Sequence, residues 1–320
     1  MSKLLGLTLA IAMTASAAVK IEKTAYAGWP NCYRITNGEI ELIVTTDVGP
    51  RVIRAGFVGG QNLFKEFTEQ LGKSGEKEWQ ARGGHRVWVG PEIMPITYAL
   101  DNGPVKISVR GQVVELLQPV EKETGLQKQM IIRMAAEGNT VQMIHRIRNA
   151  TLFPLEFAPW TLTMMAQGGI GITGLPPRGV HPKDLAPTNP LVIWPYTDFS
   201  DKRWTFTKKY IMLRQDPKNN EAQKLGHFNS STWGAYLLGA DLYIKRYKAD
   251  PARTYPDFGC SYETFTNADF LELETVGPLT KVEAGKTVEH VESWSFHKNV
   301  KIGSWTDAEL DRVVAPLVGK

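Results

Sequence analysis

The sequence predicts a mainly β protein, a large antiparallel β-sandwich with few short helices. Apolar residues recur with period two in several segments. In one of them Ile40, Leu42 and Val44 share a face opposite Glu39 and Glu41, as in a strand with one buried side. Clusters of Gly, Asn, Asp and Pro separate these segments. Many short strands with such turns between them favour a sandwich.

The same patterns locate further elements along the chain. Alternation predicts strands over residues 105–109, 129–134 and 141–147. Residues 65–71 have the pattern of two helical turns, and the Gly and Pro content of residues 168–190 predicts a long loop. Near the C-terminus, Thr306 and Glu309 form a capping-box pattern ahead of an apolar stripe, which predicts a helix there.

Composition narrows the classes of protein that remain. The chain has 320 residues, of which 42% are hydrophobic and 22% are charged, and this excludes wholesale disorder. Two cysteines are too few for a disulfide scaffold or a Cys-based metal site. The formal net charge is +4, and the basic residues are dispersed among acidic ones. We therefore expect no nucleic-acid partner.

The N-terminus has the plan of a secretory signal peptide. Lys3 makes the start basic, residues 4–12 are apolar, and residues 15–17 read Ala-Ser-Ala, a small-residue cleavage pattern. We predict a signal peptide over residues 1–18 and a single domain over residues 19–320. The mature protein would be periplasmic or secreted, with no membrane span, because the apolar run is too short to cross a bilayer. The alternative is an ordinary buried N-terminal helix.

The two cysteines leave two readings open. In an oxidising compartment Cys32 and Cys260 could form a disulfide. They could equally be two separate buried thiols, because the sequence gives no distance between them. We favour separate thiols.

Tryptophans lie beside polar clusters, which suggests a sugar site. A sugar ring has one apolar face and a rim of hydroxyl groups, so it needs an aromatic platform with polar side chains around it. The candidate sugar-binding residues are Arg86, Trp88, Trp160, Trp194, Asp201, Arg203, Trp204 and Glu272. The alternative is that these tryptophans cap the ends of the sandwich core.

Two glutamates occupy one face of a predicted strand. Leu271 and Leu273 point one way, and Glu272 and Glu274 point the other way. Carboxylates roughly 7 Å apart along a strand raise each other's proton affinity, and this can tune a general base. The pair does not suit glycoside hydrolysis, in which two carboxylates flank the scissile bond from different sides. The alternative is an exposed strand face.

The histidines do not have the spacing of metal ligands. None of the six forms an H-x-H or H-x-x-x-H pair, so we expect no metal, and no motif requires another cofactor. His145 lies on an apolar strand face and is predicted to be a satisfied core histidine. His85 lies between two glycines and Arg86, and we predict that it is the functional histidine.

Two segments carry a resemblance to a known family. Residues 35–52, followed by a turn at residues 59–62, look like the first hairpin of the galactose mutarotase-like superfamily, which includes the aldose 1-epimerases. Residues 273–275 resemble its late Leu-Glu-Thr strand. The order and spacing match over nearly the whole mature chain. The chain is most similar to a bacterial branch that lies apart from the sugar epimerases.

The resemblance implies a β-supersandwich with a groove over one sheet. It also implies that an aldose ring opens without a cofactor, while a glutamate takes the anomeric proton and a histidine protonates the ring oxygen. On this reading Glu274 is the base, Glu272 raises its proton affinity, and His85 is the acid.

Two departures from the family pattern bear on catalysis. The family has an Arg-x-x-Asn-Arg turn, and here His85 stands where the Asn is expected. The family's Asn-His pair has no counterpart in residues 155–162, which contain no histidine. Either His85 or His145 replaces the usual acid, or the protein binds sugars without epimerising them. A third reading is an accessory enzyme of polysaccharide breakdown, because similar supersandwiches also serve hydrolases and lyases.

Overall fold

The structure is a computed structural model and describes residues 18–319. The predicted signal peptide lies outside the described residues except for Ala18, so the signal peptide, its cleavage and export stay predictions, as does the single domain over residues 19–320. None of the helices in the described part of the chain has the length and apolarity needed to cross a bilayer.

The described residues form mostly strands. The first ten are β1 (Lys20–Tyr26), β2 (Trp29–Thr36), β3 (Ile40–Thr45), β4 (Arg51–Phe57), β5 (His85–Gly90), β6 (Lys106–Arg110), β7 (Val113–Leu117), β8 (Leu126–Met134), β9 (Thr140–Asn149) and β10 (Leu155–Met165). The others are β11 (Ile170–Gly174), β12 (Leu191–Ile193), β13 (Trp204–Phe206), β14 (Tyr210–Arg214), β15 (Gln223–His227), β16 (Trp233–Leu238), β17 (Asp241–Arg246), β18 (Tyr262–Thr266), β19 (Leu271–Val276), β20 (Thr280–Val282) and β21 (Thr287–His297). Two short helices follow, α1 (Asp307–Val313) and α2 (Ala315–Val318).

These strands make two antiparallel sheets. The first sheet has the order β1-β2-β3-β4-β5-β10-β19-β18-β15-β12, and β20 pairs with the N-terminal residues of β10. The second sheet has the order β13-β14-β11-β16-β17-β21-β9-β8-β7-β6. The predicted fold class, a large antiparallel sandwich with few short helices, is confirmed.

Local predictions from the sequence hold in most places. The three strands predicted from alternation correspond to β6, β8 and β9. Helix α1 begins as predicted, with the Thr306 hydroxyl accepting a hydrogen bond from the Glu309 N–H at 3.4 Å. The helix predicted over residues 65–71 is wrong, because Phe64 and Glu66 form β-bridges and only a short 3-10 turn, Thr68–Gln70, follows.

The loop predicted over residues 168–190 is partly wrong. Strand β11 occupies its first part, between β14 and β16 of the second sheet. Gly169 and Gly174, which suggested a loop, are needed because neighbouring side chains leave no room for a larger residue. A Cβ atom on Gly169 would lie 2.4 Å from the Tyr236 ring.

The main core lies between the two sheets and draws on both. Leu42, Val52 and Leu273 from the first sheet pack with Met130 and Met143 from the second. Alternation along the strands directs the remaining side chains to the outer faces. A second apolar cluster, which includes Leu310 and Val314, covers the outer face of the second sheet beneath the C-terminal helices. The outer face of the first sheet has no helix over it among the described residues, and the candidate site lies there.

The two cysteines do not form a disulfide, as the sequence analysis favoured. Cys32 and Cys260 are both buried and both free. Burial raises the pKa of the Cys32 thiol to about 11. Neither thiol is therefore placed to react as a thiolate at neutral pH.

Candidate active site

A groove of about 330 Å³ lies on the outer face of the first sheet. Its aromatic lining comprises Trp79, Trp88, Tyr98, Trp160, Tyr196 and Phe265. Its charged lining comprises Arg86, Glu92, Lys224 and Glu272. The groove thus joins flat apolar surface to a small set of charged groups, which is the usual make-up of a small-molecule site.

Strand pairing explains why these side chains meet. On β10, Leu162 lies opposite Arg86 of β5 on one side and Glu274 of β19 on the other. Trp160 lies opposite Trp88 of β5 in the same register. Because side chains alternate between faces, all five of these residues point to the outer face of the sheet.

Glu272 is the carboxyl group that faces the cavity. The residue is 7% exposed, and its Oε1 atom has no hydrogen-bond partner. The Arg86 guanidinium lies 3.7 Å from that oxygen, too far for a hydrogen bond. Burial, and then the negative charge of Glu274, raise the pKa of Glu272 to about 8. Glu272 can therefore exist in both protonation states near neutral pH, as a proton-transfer group requires.

Glu274 lies deeper, beneath the groove floor. It is completely buried. Its Oε2 atom accepts hydrogen bonds from Trp160 Nε1 at 2.9 Å and from Lys224 Nζ at 3.0 Å. These two donors hold Glu274 in place and separate it from the cavity, whereas Glu272 reaches it.

Lys224 is a fixed cation at the floor of the groove. Its ammonium lies 2.8 Å from Glu263 and 3.0 Å from Glu274, and 4.9 Å from the Trp160 ring centroid. Burial lowers the pKa of Lys224, but the two carboxylates outweigh burial, so that its pKa lies well above the usual value. The lysine therefore remains charged at neutral pH.

Arg86 is the second cation of the groove. Its guanidinium lies 4.3 Å from the Trp88 ring centroid and 4.9 Å from that of Trp79, within the range of cation–π attraction. Burial lowers the pKa of Arg86 to about 10, so it also remains charged at neutral pH. Contact with these two neighbouring indole rings, whose centroids are 5.4 Å apart, holds the side chain beside Glu272.

His85 lies on the opposite side of the same strand. It directly precedes Arg86, so alternation points its ring into the interior of the sandwich. The ring is fully buried, with Nδ1 2.8 Å from Thr163 Oγ1 and Nε2 2.7 Å from His145 Nε2. The structure thus separates His85 from the groove that Glu272 lines, and the acid role suggested for it has no support from its position.

A buried polar cluster surrounds His85 between the sheets. Glu292 accepts hydrogen bonds from Thr275 Oγ1 at 2.5 Å and from Trp294 Nε1 at 2.8 Å, and it forms an ion pair with Lys245 at 3.0 Å. His145 also contacts the His290 carbonyl oxygen through Nδ1 at 3.2 Å. The prediction that His145 is a satisfied core histidine is confirmed, because both of its ring nitrogens have partners.

The remaining candidates lie at the margin of the groove or away from it. Trp194 is at the margin, where its ring centroid lies 4.7 Å from Lys224 Nζ. Arg203 forms an ion pair with Asp201 at 2.7 Å and donates to the Glu221 carbonyl oxygen at 2.5 Å, so these two residues brace a loop. Trp204 is buried in the main core.

The structure therefore divides the predicted site residues into two groups. It brings together Arg86, Trp88, Trp160, Glu272 and Glu274, with Trp194 beside them. It places His85, Asp201, Arg203 and Trp204 elsewhere.

Sequence reasoning missed several groove residues. Lys224 lies on the short strand β15, where Lys224 and Gly226 alternate with the buried Leu225. Glu263 alternates with Tyr262 on β18 in the same way. This alternation is the only signal that could have found them, and it is weak over five residues. Trp79 belongs to an irregular segment with no periodicity at all.

Comparison with known proteins identifies the fold. The chain matches no protein-family model and no curated protein sequence. Among solved structures it is similar to a candidate aldose 1-epimerase from Klebsiella pneumoniae, with a TM-score of 0.59 and 12% identity over 93% of this chain and 87% of that one. It is also similar to a galactose mutarotase-like protein from Lactobacillus casei, with a TM-score of 0.55 and 10% identity over 83% of this chain and 100% of that one. The resemblance suggested by residues 35–52 and 273–275 is thus confirmed at the level of structure: the chain has the galactose mutarotase-like fold.

Proposed function

We propose that the protein binds an aldose, or the reducing end of a sugar chain, in this groove and interconverts its two anomers. The observation that carries the proposal is the position of Glu272. It is a cavity-facing carboxyl group whose pKa is about 8, set between fixed cations on an aromatic-lined sheet face. The similar solved structures include proteins described as mutarotase-like, which supports the same choice.

The aromatic lining suits the apolar face of a sugar ring. Trp88, Trp160 and Phe265 contribute broad apolar surface, against which sugar C–H groups can pack. Arg86 and Lys224 project charged N–H groups beside that surface. Ring hydroxyl groups would accept hydrogen bonds from these two donors.

The reaction needs one proton acceptor and one proton donor. Glu272 would take the proton from the anomeric hydroxyl as the bond from C1 to the ring oxygen breaks and a C1 carbonyl forms. Lys224 would give a proton to the released ring oxygen. After rotation about the C1–C2 bond, the same transfers run in reverse on the other face of the carbonyl, and both residues return to their starting states.

Our assignment of the base differs from that implied by the family resemblance. The Leu-Glu-Thr pattern assigns the role to Glu274, which Trp160 and Lys224 cover here. We assign it to Glu272, which reaches the cavity, and give Glu274 the task of holding Lys224. The role of Glu274 as base stays a prediction, and Gln variants at the two positions separate the alternatives.

A non-catalytic sugar-binding protein is the second candidate. The segment in which the family has its histidine carries Trp160 here, and its indole N–H donates to Glu274. An indole can donate a hydrogen bond but does not transfer its proton near neutral pH. This observation favours binding without catalysis.

Two measurements on the wild-type protein test the proposal. Tryptophan fluorescence should shift on titration with an aldose, because three tryptophans line the groove, and Trp160→Ala should weaken that shift. Polarimetry on a fresh anomer should show a rate above the spontaneous one. A fluorescence shift without any acceleration would favour the binding protein, and neither effect with any aldose would contradict both candidates.

We also propose that the protein acts outside the cytoplasm. The support is the predicted signal peptide over residues 1–18. N-terminal sequencing of protein from the periplasm or medium should find a start between Ser16 and Val19. A mature product that still begins at Met1 would contradict the proposal.

A further inference from the structure

The groove and the layer beneath its floor contain more buried carboxyl groups than cations. Glu263, Glu272 and Glu274 are all buried on this face of the sheet. Lys224 is shared between Glu263 and Glu274, at 2.8 and 3.0 Å. Arg86 is the one cation within 4 Å of Glu272 among the described ion pairs. Two cations therefore serve three carboxyl groups.

The Oε1 atom of Glu272 lines the cavity without a hydrogen-bond partner, and the side chain is 9% exposed. Oxygens of Glu263 and Glu274 also lack a hydrogen bond, but both residues are paired with Lys224, and Glu272 is the one of the three that lines the cavity.

Arg86 does not complete Glu272 in this geometry, because its Nη2 atom lies 3.7 Å from the Oε1 oxygen and its Nη1 atom donates to the Ala81 carbonyl oxygen at 3.2 Å. A buried carboxyl oxygen without a hydrogen-bond partner is costly, and ionising that group costs more. A ligand that brings a donor would remove this cost.

We propose that the groove selects a sugar that carries a protonated amine, with the ammonium bound by the Oε1 atom of Glu272 and the other oxygen left to take the anomeric proton. This inference rests on the proposed function, since it takes a sugar as the occupant. An ammonium offers three N–H donors and would bring a third cation to the three buried carboxyl groups, to which Glu92 adds a fourth, exposed one. A sugar hydroxyl group could also donate a hydrogen bond to Glu272, but an ammonium adds the attraction between opposite charges, which is stronger in a buried site than in water.

Acidic sugars should be disfavoured by the same charges. A phosphate or uronate group would add negative charge beside Glu272, Glu274 and Glu92, which also lines the groove. The raised pKa values of Glu272 and Glu263 are consistent with more carboxyl groups than cations in this region. Burial, and then Glu274, raise the pKa of Glu272 to about 8, and burial raises that of Glu263 to about 8 against the pull of Lys224.

Matched pairs of sugars test the inference. Glucosamine, galactosamine and mannosamine should each be titrated against glucose, galactose and mannose, with glucose 6-phosphate as the anionic probe. Tryptophan fluorescence at low salt and about pH 7, where a sugar amine is mostly protonated, reports binding. We expect at least one amino sugar to bind about 10-fold or more tightly than its neutral partner. Glu272→Gln should abolish that ratio.

A control variant at an exposed glutamate shows whether the effect is specific to Glu272. Glu289→Gln makes the same change on the exposed surface of the second sheet and should leave the ratio intact. If neutral sugars bind as tightly as amino sugars, or the phosphate binds best, the inference is overturned while the proposed function stands. A ratio that persists in Glu272→Gln overturns the role of Glu272. If no sugar binds, the inference fails together with the proposed function.

Discussion

The interior cluster around Glu292 and the groove around Glu272 use similar residues but differ in how well their charges are matched. Between the sheets, Glu292 is paired with Lys245 and accepts hydrogen bonds from Trp294, Thr275 and Thr161. In the groove, Glu272 has an oxygen without a partner. The interior cluster is therefore a completed network that joins the sheets, and the groove is an incomplete one that a ligand can complete.

The pKa values express the same difference. Burial alone would raise the pKa of Glu292, but Lys245 and the neighbouring histidines hold it well below the usual value. Burial and a like charge raise the pKa of Glu272 to about 8. A carboxyl group with matched charges stays ionised, whereas one with an excess of negative neighbours titrates near neutral pH.

The same substitution made in both regions should show the largest contrast. Glu292→Gln leaves Lys245 buried without its counter-ion, and this should cost about 3–5 kcal/mol of unfolding free energy. Urea unfolding measures it, with the exposed Glu289→Gln as a control that should leave stability unchanged. A loss at Glu292 no larger than that of the control would contradict a completed network.

Acid should weaken the interior cluster in particular. Burial lowers the pKa of His145 and of His290 to about 4, against roughly 6.5 in an unfolded chain. Between these values the unfolded state binds more protons, so stability is full above about pH 6.5 and falls toward pH 4. Urea unfolding at several pH values should show this decline, and His145→Gln should flatten it. A pH-independent stability over that range would contradict the burial of neutral histidines.

One hydrogen bond under the groove offers a smaller test. Trp160→Phe keeps an aromatic ring but removes the donor to Glu274, and this should cost roughly 1.5–3 kcal/mol. Trp79→Phe is the matched control, because the Trp79 N–H is buried without a partner and its loss should cost less. Equal costs in urea unfolding would mean that the bond to Glu274 contributes little.

Glu272→Gln should show its effect in the pH dependence of stability. The pKa of Glu272 is raised in the folded state, so its contribution is most favourable below about pH 4.3, the unfolded value, and is lost as the pH rises through about 8. The variant should therefore lessen the decline in stability as the pH rises from about 4.3 to about 8, as measured by urea unfolding over that range. An unchanged decline would contradict the raised pKa.

The sequence predicted the fold better than it predicted the site. Period-two alternation in segments such as 141–147 depends only on which side of a strand is buried, and local sequence carries that information. The failure at residues 65–71 has a non-local cause, because Phe64 bridges to Met165, about a hundred residues away in the chain. Local propensity does not contain such a pairing.

Within the site, the sequence predicted correctly those residues that lie together on a single strand. Glu272 and Glu274 were found together because they share a strand face. His85 was predicted to be functional because glycines precede it. Side chains alternate along β5, however, so Arg86 points into the groove and His85 points into the interior. Lys224 was missed because its importance comes from Glu263 and Glu274 on other strands. Such contacts depend on which strands are neighbours in the sheet, and local sequence does not contain that information.

The rate of anomer exchange in Glu272→Gln tests the central claim most directly, namely that the incomplete carboxyl group in the groove transfers the proton. NMR saturation transfer or polarimetry would compare the wild type, Glu272→Gln, Glu274→Gln and Glu289→Gln. We predict that Glu272→Gln lowers the rate about 10²-fold or more, the usual contribution of a positioned general base, and that Glu289→Gln has no effect. We also predict that the wild-type rate rises with pH through about 8, the pKa of Glu272. A fully active Glu272→Gln variant, with activity lost instead in Glu274→Gln, would contradict the account and return the base to Glu274.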